Sequence, residues 1–146
     1  MFGLITPFVY VYVILKLPAN VTRSTVILIS FFLGLFIDIF SNTLGMHAAA
    51  CSFMGFIRMP LLERLIDFKE MPEGVIPSYK SFGFTKFVRY SIILIAFHHI
   101  ALFIIEAFSL FQPWLMISRM LLSIFFTSLL VFIIEAFNIS KVKSGD

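Results

Sequence analysis

The chain has 146 residues, of which 60% are hydrophobic and 13% charged, with a mean hydropathy of +1.04. A water-soluble domain of this size has too much surface to hide so much apolar side chain, and carries about 25% charged residues. The composition therefore excludes an ordinary soluble fold, and the net charge of +3 reads as loop charge of a membrane protein rather than a nucleic-acid footprint.

Five apolar segments follow one another. The first, 4–17, ends at Pro18, and the tight turn 18–22 leads to the second, 22–40. Ser41-Asn42-Thr43-Leu44-Gly45 has turn chemistry and introduces the third segment, 45–59, expected to stop before Pro60. The fourth and fifth, 86–108 and 113–138, reach roughly 30 Å or more at 1.5 Å per residue and are long enough to span a bilayer. Pro113 suits the first turn of its helix and Trp114 a membrane interface. The fold class predicted is thus an all-α integral membrane bundle of about five transmembrane helices, a single domain over 1–140, with short turns making successive helices antiparallel.

The long connection, 60–85, begins with an amphipathic stretch. Leu61, Leu62, Leu65 and Ile66 share one helical face, while Glu63, Arg64, Asp67 and Glu70 lie elsewhere. That pattern predicts a short helix on the membrane surface, with a solvated loop as the alternative. Pro72, Gly74 and Pro77 break any helix beyond it.

Basic residues are distributed unevenly. Lys16, Arg23, Arg58, Arg64, Lys69, Lys80, Lys86, Arg89, Lys141 and Lys143 all fall on one side if the segments alternate, and only Arg119 lies elsewhere. The positive-inside rule places the loop 60–85 and the tail 141–146 in the cytoplasm. Five spans then put Met1 outside, so the expectation is that an N-terminal helix is missing from this chain.

Ionisable groups inside the membrane are costly to place and are candidates for function. Here they are Asp38, His98, His99, Glu106, Arg119 and Glu135. An acid at a helix C-terminus meets the unfavourable pole of the macrodipole, so Asp38 and Glu106 each need a partner or water. Folding back the hairpin of the last two segments brings Glu106 within a turn of Arg119, with Asp38 a competing partner. Ser91, His98 and Glu106 fall on nearly one face of their helix, and Arg119, Ser123 and Thr127 form an i, i+4, i+8 stripe on the next. Facing polar stripes act as interhelical glue or line a small polar cavity for a ligand or a proton path.

Adjacent His98 and His99 point about 100° apart and do not make a metal site. The close repeat of Phe103–Ser109 as Phe132–Asn138 carries Glu106 and Glu135 to opposite ends, which gives them no shared role. Cys51, the single cysteine, reads as a buried small residue. No phosphate loop, dinucleotide fingerprint, zinc-protease motif or nucleophile elbow is present, so no enzymatic activity, cofactor or metal is expected.

Gly34-Leu35-Phe36-Ile37-Asp38, followed by Gly45-Met46-His47-Ala48, resembles MreD, the rod shape-determining membrane protein family of bacteria, over the whole chain. Its Phe-rich composition with His98-His99 is similar to the Bacteroidota branch. The resemblance implies six helices, the first absent here, in a fold like that of the substrate-binding S components of energy-coupling-factor transporters. It assigns Gly34, Leu35, Asp38, Gly45 and Ala48 to the family motif and helix packing. It also implies a non-enzymatic scaffold of the cell-elongation machinery in the bacterial inner membrane. There the protein would bind the bitopic protein MreC and couple MreB filaments to the cell-wall synthases that build lateral peptidoglycan. The S-component likeness keeps a small-molecule-binding transporter subunit as the alternative.

Overall fold

The computed structural model describes residues 10–67, 69, 71–108 and 112–143, the last four by their backbone alone. Every regular element among these is a helix: α1 (Val11–Leu15), α2 (Arg23–Ser41), α3 (Met46–Leu65), α4 (Tyr79–Phe82), α5 (Phe84–Ala107) and α6 (Pro113–Lys143). Three of them, α2, α5 and α6 over Pro113–Ile139, are long and apolar enough to cross a bilayer. The chain is an all-α membrane protein, with three such helices where five spans are expected.

Two segments account for the difference. α3 has 20 residues, about 30 Å of helix, but it carries His47, Arg58, Glu63 and Arg64 and is less apolar than its neighbours. It is the central helix, packed between α2 and α5: His47 and Arg58 are buried against protein, while Glu63 and Arg64 are exposed at its C-terminal end. The segment expected at 4–17 contains the five-residue α1, and its residues 4–9 lie outside the described ones.

α2 and α3 form the tightest pair. Gly34 has no side chain because α3 passes through the space one would occupy: a Cβ there would meet the His47 carbonyl oxygen and Ala48 Cα, and would lie 2.6 Å from the Ala48 nitrogen. One helical turn away, a Cβ at Gly55 would lie 2.7 Å from Ser30 Oγ, whose hydrogen is donated to the Val26 carbonyl of its own helix. Small residues at such spacing let helix backbones approach in a membrane, where dispersion drives association. Gly34→Ala is expected to separate the helices and to cost about 1–3 kcal/mol, the usual range for overpacking. Equilibrium unfolding in detergent measures it, and wild-type stability in the variant would contradict the close approach.

α3 does not stop at Pro60. It continues to Leu65, which corrects both the expected end at residue 59 and the separate surface helix at 61–70. Proline removes the N–H that would serve the carbonyl four residues earlier, that of Phe56. Arg23, at the start of α2, takes over this role: its guanidinium donates to the Phe56 carbonyl at 3.4 Å and lies 4.0 Å from the centre of the Phe56 ring. The apolar face read as membrane-facing instead turns inward, with Leu62 and Ile66 buried in the core and Leu61 and Leu65 packed on it.

The short α1 lies inside the bundle. Val11, Ile14 and Leu15 are fully buried, and the core continues through Met54 and Leu62 of α3, Tyr90, Leu94, Ile95 and Leu102 of α5 and Val131 of α6. α5 and α6 pack on each other as the predicted hairpin. Pro113 occupies the first position of α6, and Trp114 is 83% exposed at that end. α6 runs on to Lys143, so the tail expected from residue 141 is helical at its start. The exposed faces of α2, α5 and α6 are lined by Phe, Ile and Leu, as lipid contact requires.

Candidate functional site

Polar side chains gather at three levels of the bundle. At the first, Asp38 in the last turn of α2 directs its carboxylate at the start of α3. It is 2% exposed. Its oxygens accept the backbone N–H groups of His47 and Ala48 at 3.0 and 2.9 Å, the His47 Nδ1–H at 2.9 Å and the Thr43 hydroxyl. The first N–H groups of a helix have no partner within it and carry the positive end of the macrodipole. Asp38 supplies the missing acceptor from the neighbouring helix. Gly45, the N-cap, has no side chain to do so and adopts φ 75°, where other residues are strained. The partner that the sequence required for Asp38 is therefore the N-terminus of α3, not Arg119.

At the second level, near mid-bundle, lie His98 and His99, both fully buried. His99 Nδ1 is 2.8 Å from the Ile95 carbonyl, which can only accept, so Nδ1 carries the proton. His99 Nε2 is then the acceptor for the Thr127 hydroxyl of α6 at 3.4 Å. α5 and α6 thus share a polar contact, made by Thr127 of the expected stripe with His99, which lies off the expected stripe of Ser91, His98 and Glu106. His98 turns toward the chain's start, with its Nε2 3.1 Å from the Tyr10 hydroxyl. Tyr10 in turn stands edge-on to both His98 and His47, with ring centroids 5.6 and 6.0 Å apart. All three histidines of the chain thus join Asp38 and Thr127 in one buried group.

Ser123 is buried on the same stripe as Thr127, and Glu106 and Arg119 are partly buried toward the end of the bundle where α5 stops and α6 starts. Leu35 is partly buried on α2. Thr127→Val is expected to cost about 0.6 kcal/mol, the mean for interhelical hydrogen bonds in membranes. A double-mutant cycle with His99→Leu, read by unfolding in detergent, checks it, and zero coupling would rule out the bond.

The third level lies at the end of the bundle that carries most of the lysines and arginines; the sequence marks Glu135 as an intramembrane acid but not the groups that meet it. Glu135 of α6, 1% exposed, accepts from Lys16 Nζ at 3.0 and 3.2 Å, from the Tyr12 hydroxyl at 2.9 Å and from the Tyr79 N–H at 3.3 Å. Lys16 Nζ also donates to the Pro77 carbonyl at 2.6 Å. Burial and the nearby Glu135 charge push the Tyr79 phenol above its ordinary value.

Beside this knot, Arg58 of α3 is 0% exposed, although the charge count treated it as a loop cation. Its Nε donates to the Tyr90 hydroxyl at 2.9 Å and its Nη2 to the Leu17 carbonyl, while Tyr90 donates to the Leu15 carbonyl at 2.9 Å. A cation thus meets the carbonyl end of α1, the favourable pole for it. The signal available in the sequence was local composition: Glu135 and Arg58 each interrupt a mainly apolar stretch of their helix.

The groups at all three levels are largely used up by one another. Chemically the arrangement fastens α1 to α3, α5 and α6, and α2 to α3, by buried polar contacts. Among the described residues no group of three or more His, Cys, Asp or Glu is placed to hold a metal ion. Fold and site together define an α-helical multi-pass membrane protein with an internal polar network. No protein-family model, curated protein or solved structure matches the chain.

Proposed function

We propose that the protein is a non-enzymatic scaffold subunit of the bacterial cell-elongation complex, of the MreD kind. In this reading it lies in the inner membrane with its basic end and C-terminus in the cytoplasm. It holds an MreC-like bitopic protein and, through it, MreB filaments and the cell-wall synthases. The observation that carries the reading is the physical unity of the motif. Gly34 admits the backbone of Ala48, Gly45 opens α3, and Asp38 caps α3 at His47 and Ala48. Residues that resemble a family signature form one fastening between two helices, as a protein acting through its shape requires. The alternative, a small-molecule-binding transporter subunit using the polar stripes, needs open space there, whereas His98, His99, Ser123 and Thr127 are buried.

Affinity purification from a bacterium expressing the tagged chain with its own MreC-like protein tests the proposal. Recovery of that partner, reduced for Gly34→Ala, is expected. Quantitative absence of the partner while the chain is stably membrane-inserted would sink it.

A further inference from the structure

A cavity of about 500 Å³ opens at the basic end of the bundle, between α1, the segment leading into α4 and the last turns of α6. Its walls are mainly apolar, formed by Ile76, the Tyr79 side chain and Ile139, with Lys16, Lys80 and Glu135 among the lining groups. The volume lies within the range of small-molecule and lipid sites. The charges are not balanced within it. Glu135 is saturated by Lys16, Tyr12 and the Tyr79 N–H, so its negative charge is answered inside the protein. Lys80 is exposed, and no ion pair is recorded for it among the described residues.

An apolar hollow with an unanswered ammonium at its rim, on the last turns of a spanning helix, sits where the hydrocarbon of a bilayer gives way to headgroups. Water fills such a hollow poorly, because apolar walls offer it few of the hydrogen bonds it needs. A phosphate fits the ammonium, and an alkyl chain fits the walls. Basic pockets between helices at this depth bind anionic headgroups.

We propose that this cavity binds an anionic phospholipid, its phosphate on Lys80 and its chain along Ile76, Tyr79 and Ile139. The site is separate from the scaffold role and does not depend on it.

The purified full chain in detergent, titrated with phosphatidylglycerol and with phosphatidylcholine and followed by native mass spectrometry and thermal unfolding, provides the test. Saturable retention and stabilisation by phosphatidylglycerol over phosphatidylcholine is expected. Lys80→Gln should weaken it about fivefold, the contribution of one lysine near a charged membrane surface. Ile76→Trp, at a half-exposed position, should fill the hollow and abolish it. Both variants lie in or beside exposed segments, and their unfolding without lipid reports that they are folded. Equal retention of the two lipids, or retention unchanged in both variants, would overturn the proposal. Displacement of bound lipid by millimolar inorganic phosphate alone would also overturn it, by assigning the ammonium to a soluble anion.

Discussion

Replacing Lys16 with Met is expected to destabilise the protein by about 3–4 kcal/mol, because it strands a carboxylate. Glu135 is 1% exposed, and among the described residues Lys16 alone pairs with it as an opposite charge. Removing one member of a buried pair costs about 3–5 kcal/mol, far more than the pair contributes over an apolar replacement, because the survivor stays out of water without compensation. Lys16 is partly exposed, at 20% of its side chain, which places the expected cost toward the lower end.

The double substitution Lys16→Met with Glu135→Gln should recover most of the loss, since the amide leaves no stranded charge and its one oxygen still accepts from either Tyr12 or the Tyr79 N–H. Equilibrium unfolding in detergent or bicelles of the wild type, the two single variants and the double variant gives the coupling directly. Additive single effects would show that the pair is incidental. A Lys16→Met variant within 0.5 kcal/mol of wild type, a limit of the order of an exposed ion pair, would show that Glu135 reaches water.

Asp38→Ala is the second large effect, with an expected cost of about 3 kcal/mol. The change removes the acceptor for two backbone N–H groups at the start of α3 and for the His47 ring. An unsatisfied buried donor costs about 1–3 kcal/mol, and the loss of a helix cap about 1 kcal/mol. Asp38→Asn should fall between, at about 1–2 kcal/mol. Its oxygen can still accept one N–H, but the negative charge at the positive end of the helix is gone and its NH₂ group faces donors. The expected stability order is Asp, then Asn, then Ala, read in the same unfolding assay with helix content followed by circular dichroism. Asn and Ala variants of equal stability would show that the charge at the α3 terminus is immaterial.

These expectations bear differently on what could be read before folding. The repeated apolar runs, the turn residues around Asn42 and Pro113 and the charge asymmetry were enough for an all-α membrane protein with an α5–α6 hairpin. They depend only on composition and period. The third segment misled because Pro60 is a helix breaker by local rules, and the compensation comes from Arg23, which is 37 positions earlier by residue number. Arg58 misled for a related reason. A cation next to an expected loop reads as solvated, and only the arrival of α1 with its free carbonyl end turns it into a buried cap.

His98 and His99 were legible as candidates but not as individuals. Which ring meets α6 and which meets Tyr10 depends on the rotation of α5 about its axis, and a difference of 100° between neighbours is easily absorbed by small changes in packing. Glu135 was visible as a buried acid and yet given no role. Its partners lie at the end of α1 and at the first residue of α4, 119 and 56 residues away in the chain, and no local pattern connects them.

The sequence by itself determined the solvent of this protein, its helical class and the need of each intramembrane charge for a partner. Those follow from transfer energies and backbone hydrogen bonding, which act on each segment alone. Only the tertiary structure decided who the partners are: the N-terminus of α3 for Asp38, Lys16 for Glu135 and the end of α1 for Arg58. The physical reason is that a buried charge is satisfied by whatever group packing brings within about 3 Å. That depends on the relative placement of whole helices, which in lipid is set by close contact at small residues such as Gly34 and Gly55 rather than by apolar pattern.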